Sequence, residues 1–148
     1  MEDFPKESKL GNVHSTTYEG KLYDVYKLIA YSETLPQVDA PLDELGACLD
    51  VLCWSGQNEN TKIGPNTIIK AFREAGSWDK LYELYPELSR HAKRVQFADL
   101  SHPILLDPEN HVIDGVHRLT KAFIEGQVAI KAKKLDKIPE AAVLASGL

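Results

Sequence analysis

Cysteine is scarce in this chain: 148 residues hold two, Cys48 and Cys53, five positions apart. That is too few for a disulfide framework, and no other cysteine completes a zinc set, so both are expected reduced and half-buried. Long apolar runs are missing too, none approaching the roughly 20 residues of a membrane-spanning helix. The opening MEDFPKESKLGN lacks the apolar stretch of a signal peptide and the arginines of a presequence, so a cytoplasmic protein without membrane contact is expected. Basic charge is short as well. Seventeen Lys and Arg against 22 Asp and Glu leave a net charge of -5, which speaks against the phosphate-backbone binding that nucleic-acid partners require. Neither GxxxxGK[ST] nor GxGxxG occurs, which excludes a P-loop and a dinucleotide fingerprint.

What is there is globular composition, 43% hydrophobic and 26% charged, enough for one domain. Charge is uneven: residues 1–87 carry 8 Lys and Arg against 15 Asp and Glu, and residues 88–148 carry 9 against 7. An anionic small molecule therefore fits the back half better.

Residues 1–20 are polar and without apolar period, which reads as a flexible arm; residues 21–148 read as a single domain with a helical insertion at about 43–97. The spacing of Leu22, Val25, Tyr26, Leu28 and Ile29 predicts a helix over Lys21 to Glu33. Pro36 and Pro41 bracket a short edge strand over Leu35 to Leu42, and Asp43 opens a helix through Trp54. Residues 55–66, SGQNENTKIGPN, form a loop long enough to act as a lid. Asn66 caps a helix over Thr67 to Ala75 that Gly76 ends; Ser77 caps another from Trp78, and Pro86 divides that second segment. The aromatic cluster Tyr23, Tyr26, Tyr31, Trp54, Trp78, Tyr82 and Tyr85 is core material of these helices, with Trp54, beside the loop, able to stack a base.

The period then changes. His102 to Leu106 and His111 to Asp114 flank the turn Asp107-Pro108-Glu109-Asn110 and read as a β-hairpin. Gly115 opens a helix carrying Leu119, Ala122 and Phe123, Gly126 closes it, and Val128 to Leu135 alternates as a strand. Strand, turn, strand, helix, strand is an α+β core.

Chemistry concentrates at the junction. A glycine between strand and helix, followed by His117 and Arg118, puts backbone N–H groups and the positive end of a helix dipole where a phosphate docks. The planar fork of Arg118 suits phosphate oxygens, and Lys121 lies one turn on from His117. A basic pair at a helix N-terminus is opposed by the macrodipole unless an anion is present, the alternative being an exposed pair bridged to Asp114. His102 and His111 face each other across the hairpin, but two histidines without a third ligand make no metal site.

The stretch Gly115-Val116-His117-Arg118-Leu119-Thr120-Lys121-Ala122, with Pro103-Ile104-Leu105-Leu106 and Val112-Ile113-Asp114 before it and Val128 to Leu135 after it, resembles the ParB and sulfiredoxin superfamily and its GxxRxxA nucleotide-binding motif. The resemblance covers about residues 88–135, with PQVDAPLDEL similar to the family's opening strand. It implies a small mixed sheet with the motif helix, preceded by a mostly helical N-terminal half. Sulfiredoxin's catalytic cysteine falls at Val116, so sulfinic acid reduction is not expected. DNA segregation is not expected either, since no helix-turn-helix or dimerisation segment comes after the motif. Relatives of the small-molecule kinase type make ATP or ADP, or else CTP, with Mg²⁺ the implied ligands, and an unidentified small-molecule acceptor the partner.

A phosphotransferase needs a cradle, a clamp and a proton acceptor. Gly115, His117, Arg118 and Lys121 supply the cradle. Asp99 and Asp114 flank the hairpin and are candidates to orient Mg²⁺ or an acceptor hydroxyl, with Asp114 the metal candidate. His91 and Arg94, at i and i+3 on one helix face, are candidates to close on the γ-phosphate. The bland readings are a turn aspartate for Asp114, a chain cap for Asp99 and a solvated basic face for His91, Lys93 and Arg94. Three functions remain in view: a phosphotransferase or NTPase, a non-catalytic nucleotide-binding switch with a partner surface, and, against the charge, a ParB-like nuclease. A homodimer through the amphipathic helices is also open.

Overall fold

An apolar run buried on both faces makes the centre of this fold. Ile104 and Leu106 pack into one core and Leu105 into another, the pattern of a strand covered on either side. The computed structural model describes residues 15–18, 21–55, 62–137, 139 and 143–145. Its elements are β1 (Ser15–Tyr18), β2 (Lys21–Asp24), α1 (Val25–Ser32), β3 (Val38–Pro41), β4 (Trp54–Ser55), β5 (Lys62–Ile63), α2 (Pro65–Ala75), α3 (Trp78–Leu84), α4 (Ser89–Gln96), β6 (Ile104–Leu106), β7 (Val112–Asp114), α5 (Val116–Ile124), β8 (Ala129–Lys134) and β9 (Val143–Ala145). Short 3-10 turns lie at Leu42–Glu44, Gly46–Asp50 and Pro86–Leu88.

The principal sheet runs β3-β8-β6-β7, with β8 parallel to β6 and the outer pairs antiparallel. This is the α+β arrangement expected from the hairpin, helix and closing strand. On one face of the sheet α5 lays Leu119 and Ala122 against Ile104, Leu106, Ile130 and Ala132. Val116 and Ile124, also on α5, pack on the cluster built by α2, α3 and α4. One helix therefore joins two cores.

Several local expectations hold. Gly76 ends α2 in the left-handed region at φ +85°, and the Ser77 hydroxyl accepts from the Lys80 N–H as the cap of α3. The hairpin turn uses Asn110 at φ +67°, with the Asn110 N–H donating to the Asp107 carbonyl. Pro41 lies in an edge strand, where its missing N–H is tolerated.

Others need correction. Part of the expected arm is a strand: Ser15–Tyr18 pairs antiparallel with Lys21–Asp24, while residues 1–14 and 19–20 lie outside the described residues. The helix expected from Lys21 starts at Val25, because the Asp24 carboxylate accepts from the Tyr26 and Lys27 N–H groups and ends the strand. The helix expected over Asp43 to Trp54 is two 3-10 turns and then a strand. Leu42, Leu45 and Cys48 contact the core at steps of three, which matches three residues per turn, and Gly46 weakens an α-helix there. Gly64, with Pro65 after it, replaces Asn66 as the cap of α2; Asn66 instead donates to the Asp50 carboxylate at 2.6 Å. Cys48 is half-buried but Cys53 is exposed. The loop read as a lid falls mostly at residues 56–61, outside the described residues, and the residues beside it pair as β4 and β5. β9 pairs with β2, a partnership that local sequence pattern does not predict. Among the described residues no helix is long and apolar enough to cross a membrane.

Leu119 is fully buried where α5 meets the sheet. Leu119→Ala is expected to cost about 2–5 kcal/mol in denaturant unfolding with an unchanged slope.

Candidate functional site

Gly115 sits at φ +109°, and a Cβ added there would lie 2.5 Å from the Ile104 Cγ2 and 3.1 Å from an Arg118 guanidinium nitrogen. Both conformation and space demand glycine. The turn it makes brings the chain straight from β7 into α5, and so folds Arg118 back over the hairpin. The Arg118 fork donates to the Pro103 carbonyl at 2.8 Å, the His102 carbonyl at 3.2 Å and the Asp114 carboxylate at 3.1 Å. Its side chain is only 5% exposed. Arg118 therefore serves as an internal brace between β6, β7 and α5, and its charge is balanced by Asp114.

His117, one residue earlier, turns toward the helical cluster. Its Nε2 lies 3.1 Å from the His91 Nδ1 on α4, and the Arg90 guanidinium lies 3.3 Å from the other His91 nitrogen. Because a guanidinium only donates, the His91 Nε2 accepts, and the His91 Nδ1–H donates to His117. The Trp54 indole lies flat over both rings, 4.5 Å and 6° from His117 and 4.9 Å and 11° from His91. All three side chains are buried. Sequence positions 54, 91 and 117 thus meet at the first turn of α5, a turn with no acidic residue.

The remaining candidates lie around this centre. Lys121 donates to the Ala98 carbonyl at 2.7 Å and so ties α5 to the segment after α4. Arg94 is half-buried in the last turn of α4. Asp99 is exposed and accepts from the Ser101 hydroxyl and N–H at 2.7 and 2.9 Å, with His102 at 3.5 Å. Those two donors, the hydroxyl first, hold its carboxyl below the usual carboxylate range. Ala122 comes four residues after Arg118, one beyond the GxxRxxA spacing, and Lys121 occupies the pattern's place.

A cleft of about 520 Å³ opens beside the junction. It reaches Val116, the first residue of α5, and is lined by Cys48, Cys53, Glu44, Glu109 and His111 among others. Behind the lining residue His111, the buried Asp107 carboxylate accepts from the N–H groups of Glu109 and His111 at 2.8 and 2.9 Å and lies 2.9 Å from the His111 Nδ1. The sequence reading misses this pair because it weighs His111 only with His102, as a metal pair, and sets both aside. The signal is the i, i+4 spacing across a tight turn. His111 also does not pair with His102, since each bonds the aspartate at its own turn. Trp54, expected chiefly in helix packing, instead caps the two histidines.

Compared with known proteins, the chain matches no protein-family model, no curated protein and no solved structure.

Two outcomes are expected. Gly115→Ala should destabilise the fold by at least about 1–3 kcal/mol in denaturant unfolding, from the backbone conformation alone. Asp99, followed by NMR titration, should ionise below a model aspartate, and Ser101→Ala should move it upward. Its depressed value contributes stability present above the unfolded-state pKa and lost as pH falls through the folded one.

Proposed function

We propose that the chain binds a nucleotide through its phosphates at the β7–α5 junction, ATP or ADP ahead of CTP, and transfers or hydrolyses a phosphoryl group on a small molecule. The observation that carries this reading is the buried polar cluster at the opening of α5. His91, His117 and Arg118 account for half of the six buried polar or charged side chains among the described residues, and they gather at the positive end of one helix. Buried polar groups are costly unless they are satisfied or used. A phosphate would meet the N–H groups of the first turn and the imidazole of His117, while Arg118 holds the turn in shape. The resemblance of Gly115 and Arg118 to the ParB and sulfiredoxin motif, with Lys121 at the place of the motif's alanine, supports the same ligand class.

Magnesium enters this reading only with the nucleotide. Among the described residues no three His, Cys, Asp or Glu could hold a metal ion. Asp114 already faces the Arg118 guanidinium, so a cation there would compete with the brace, and the residues do not build a metal cage of their own. No step is assigned to the ion. A second reading, a non-catalytic nucleotide switch, draws support from the engagement of Asp99 and Asp114 in local bonds.

Calorimetry and thermal shift against ATP, ADP, CTP and GTP, with and without Mg²⁺, test this. Saturable binding is expected, adding about 2.7 kcal/mol of stability at 100 times Kd. His117→Gln should weaken it at least about tenfold, roughly the 1.4 kcal/mol of one lost charge-assisted bond. No melting shift with any of the four nucleotides would overturn the reading.

A further inference from the structure

We propose that Asp107 and His111 form a general-base pair serving the cleft beside α5, and that the cleft takes a hydroxyl compound without net negative charge as phosphoryl acceptor. The acceptor role rests on the nucleotide reading above; the base itself does not. Asp107 is buried, and its Oδ1 is already used by the Glu109 and His111 N–H groups. Its Oδ2 lies 2.9 Å from the His111 Nδ1, so the ring proton sits on that nitrogen and the Nε2 lone pair is left as an acceptor. A buried carboxylate that fixes both the tautomer and the orientation of an imidazole is the recurring construction of a general base. The ring itself is 70% exposed, and His111 lines the cleft of about 520 Å³.

The other lining groups narrow the occupant. Among the described residues of the lining, Glu44 and Glu109 are the charged ones and none is Lys or Arg. Partial burial raises the Cys48 thiol above its ordinary value, so it adds no charge to the lining. An anionic acceptor would meet only repulsion there. Ala47, Val51, Val112 and Val116 supply apolar wall. Because Val116 is also the first residue of α5, an acceptor in the cleft lies beside the turn proposed to hold the phosphates.

In the reaction the acceptor O–H gives its proton to the His111 Nε2 as the oxygen bonds to the γ-phosphorus of ATP. The bond from that phosphorus to the bridging oxygen of ADP breaks, and the electron pair leaves with ADP. The imidazolium, stabilised by Asp107, returns its proton to water. The products are a phosphate ester, ADP and one proton. His111 is the catalytic residue and Asp107 a positioning residue. This supplies the proton acceptor that Asp99 and Asp114, held in bonds of their own, do not.

The pair is tested without nucleotide first. Hydrolysis of p-nitrophenyl acetate is measured in a Cys48→Ser, Cys53→Ser background, so that thiols do not contribute. His111→Gln should lower kcat at least about tenfold while His102→Gln, removing another exposed ring, leaves it unchanged. Asp107→Asn keeps an oxygen for the two N–H groups but turns an amide donor toward the His111 Nδ1. It should move the ring proton to Nε2, visible in ¹⁵N NMR of the imidazole, and lower kcat with little change in KM. With ATP and Mg²⁺, His111→Gln should leave Kd unchanged and cut turnover to water as acceptor. Ester hydrolysis equal to wild type in His111→Gln, or an unmoved tautomer in Asp107→Asn, overturns the pair. Loss of ester hydrolysis in a protein that binds no nucleotide supports the pair and refutes the nucleotide reading instead.

Discussion

The buried fork of Arg118 is the interaction on which the rest of this structure depends. Three bonds from one guanidinium, to the His102 and Pro103 carbonyls and to the Asp114 carboxylate, join the entry of β6, the end of β7 and the first turn of α5. The fork reaches them only because residue 115 is a glycine, whose Cα hydrogen faces both Ile104 and the guanidinium. Removing one partner of such a buried pair leaves an uncompensated charge, a loss of about 3–5 kcal/mol. The junction is therefore rigid for reasons internal to the hairpin and helix, and that rigidity is what a phosphate-binding turn requires.

The same helix carries the coupling outward. His117 points away from the brace and meets His91 and Trp54, so the segment between β3 and β6 docks on α5 through two shared imidazoles and an indole as well as through apolar contacts. Cys48 reaches the other side of the junction, its thiol donating to the Asn110 carbonyl at the hairpin turn. Cleft, turn and helix opening are thus held in one frame by bonds between residues far apart in sequence. The proposed base pair stands on that frame, because the Asp107 carboxylate that shapes the turn also orients His111.

How much of this is legible in the sequence depends on the range of the forces. The β6–β7 hairpin, α5 and β8 are readable because Asp107-Pro108-Glu109-Asn110, Gly115 and Gly126 act over a few residues. The cap of α3 and the end of α2 are readable for the same reason. The stretch from Asp43 to Trp54 misleads because its apolar spacing fits an α-helix about as well as a 3-10 turn, and only the packing of Leu42, Leu45 and Cys48 decides between them. β9 pairs with a strand more than 100 residues earlier, a register that local pattern does not carry. At the site, Gly115, His117 and Arg118 are legible as a group, but not the division of labour between them. Arg118 has the chemistry of a phosphate ligand and is the brace. The His91–His117–Trp54 stack joins three segments that only the fold brings together.

The most direct test of the central claim, that the opening of α5 is a phosphate site held in shape by Arg118, is a backbone amide NMR titration of the intact chain with ADP. The account predicts shifts that saturate together and centre on the amides of Val116, His117, Arg118 and Leu119, with smaller changes at the Trp54 indole. Saturable shifts centred elsewhere, or none at all, would contradict it.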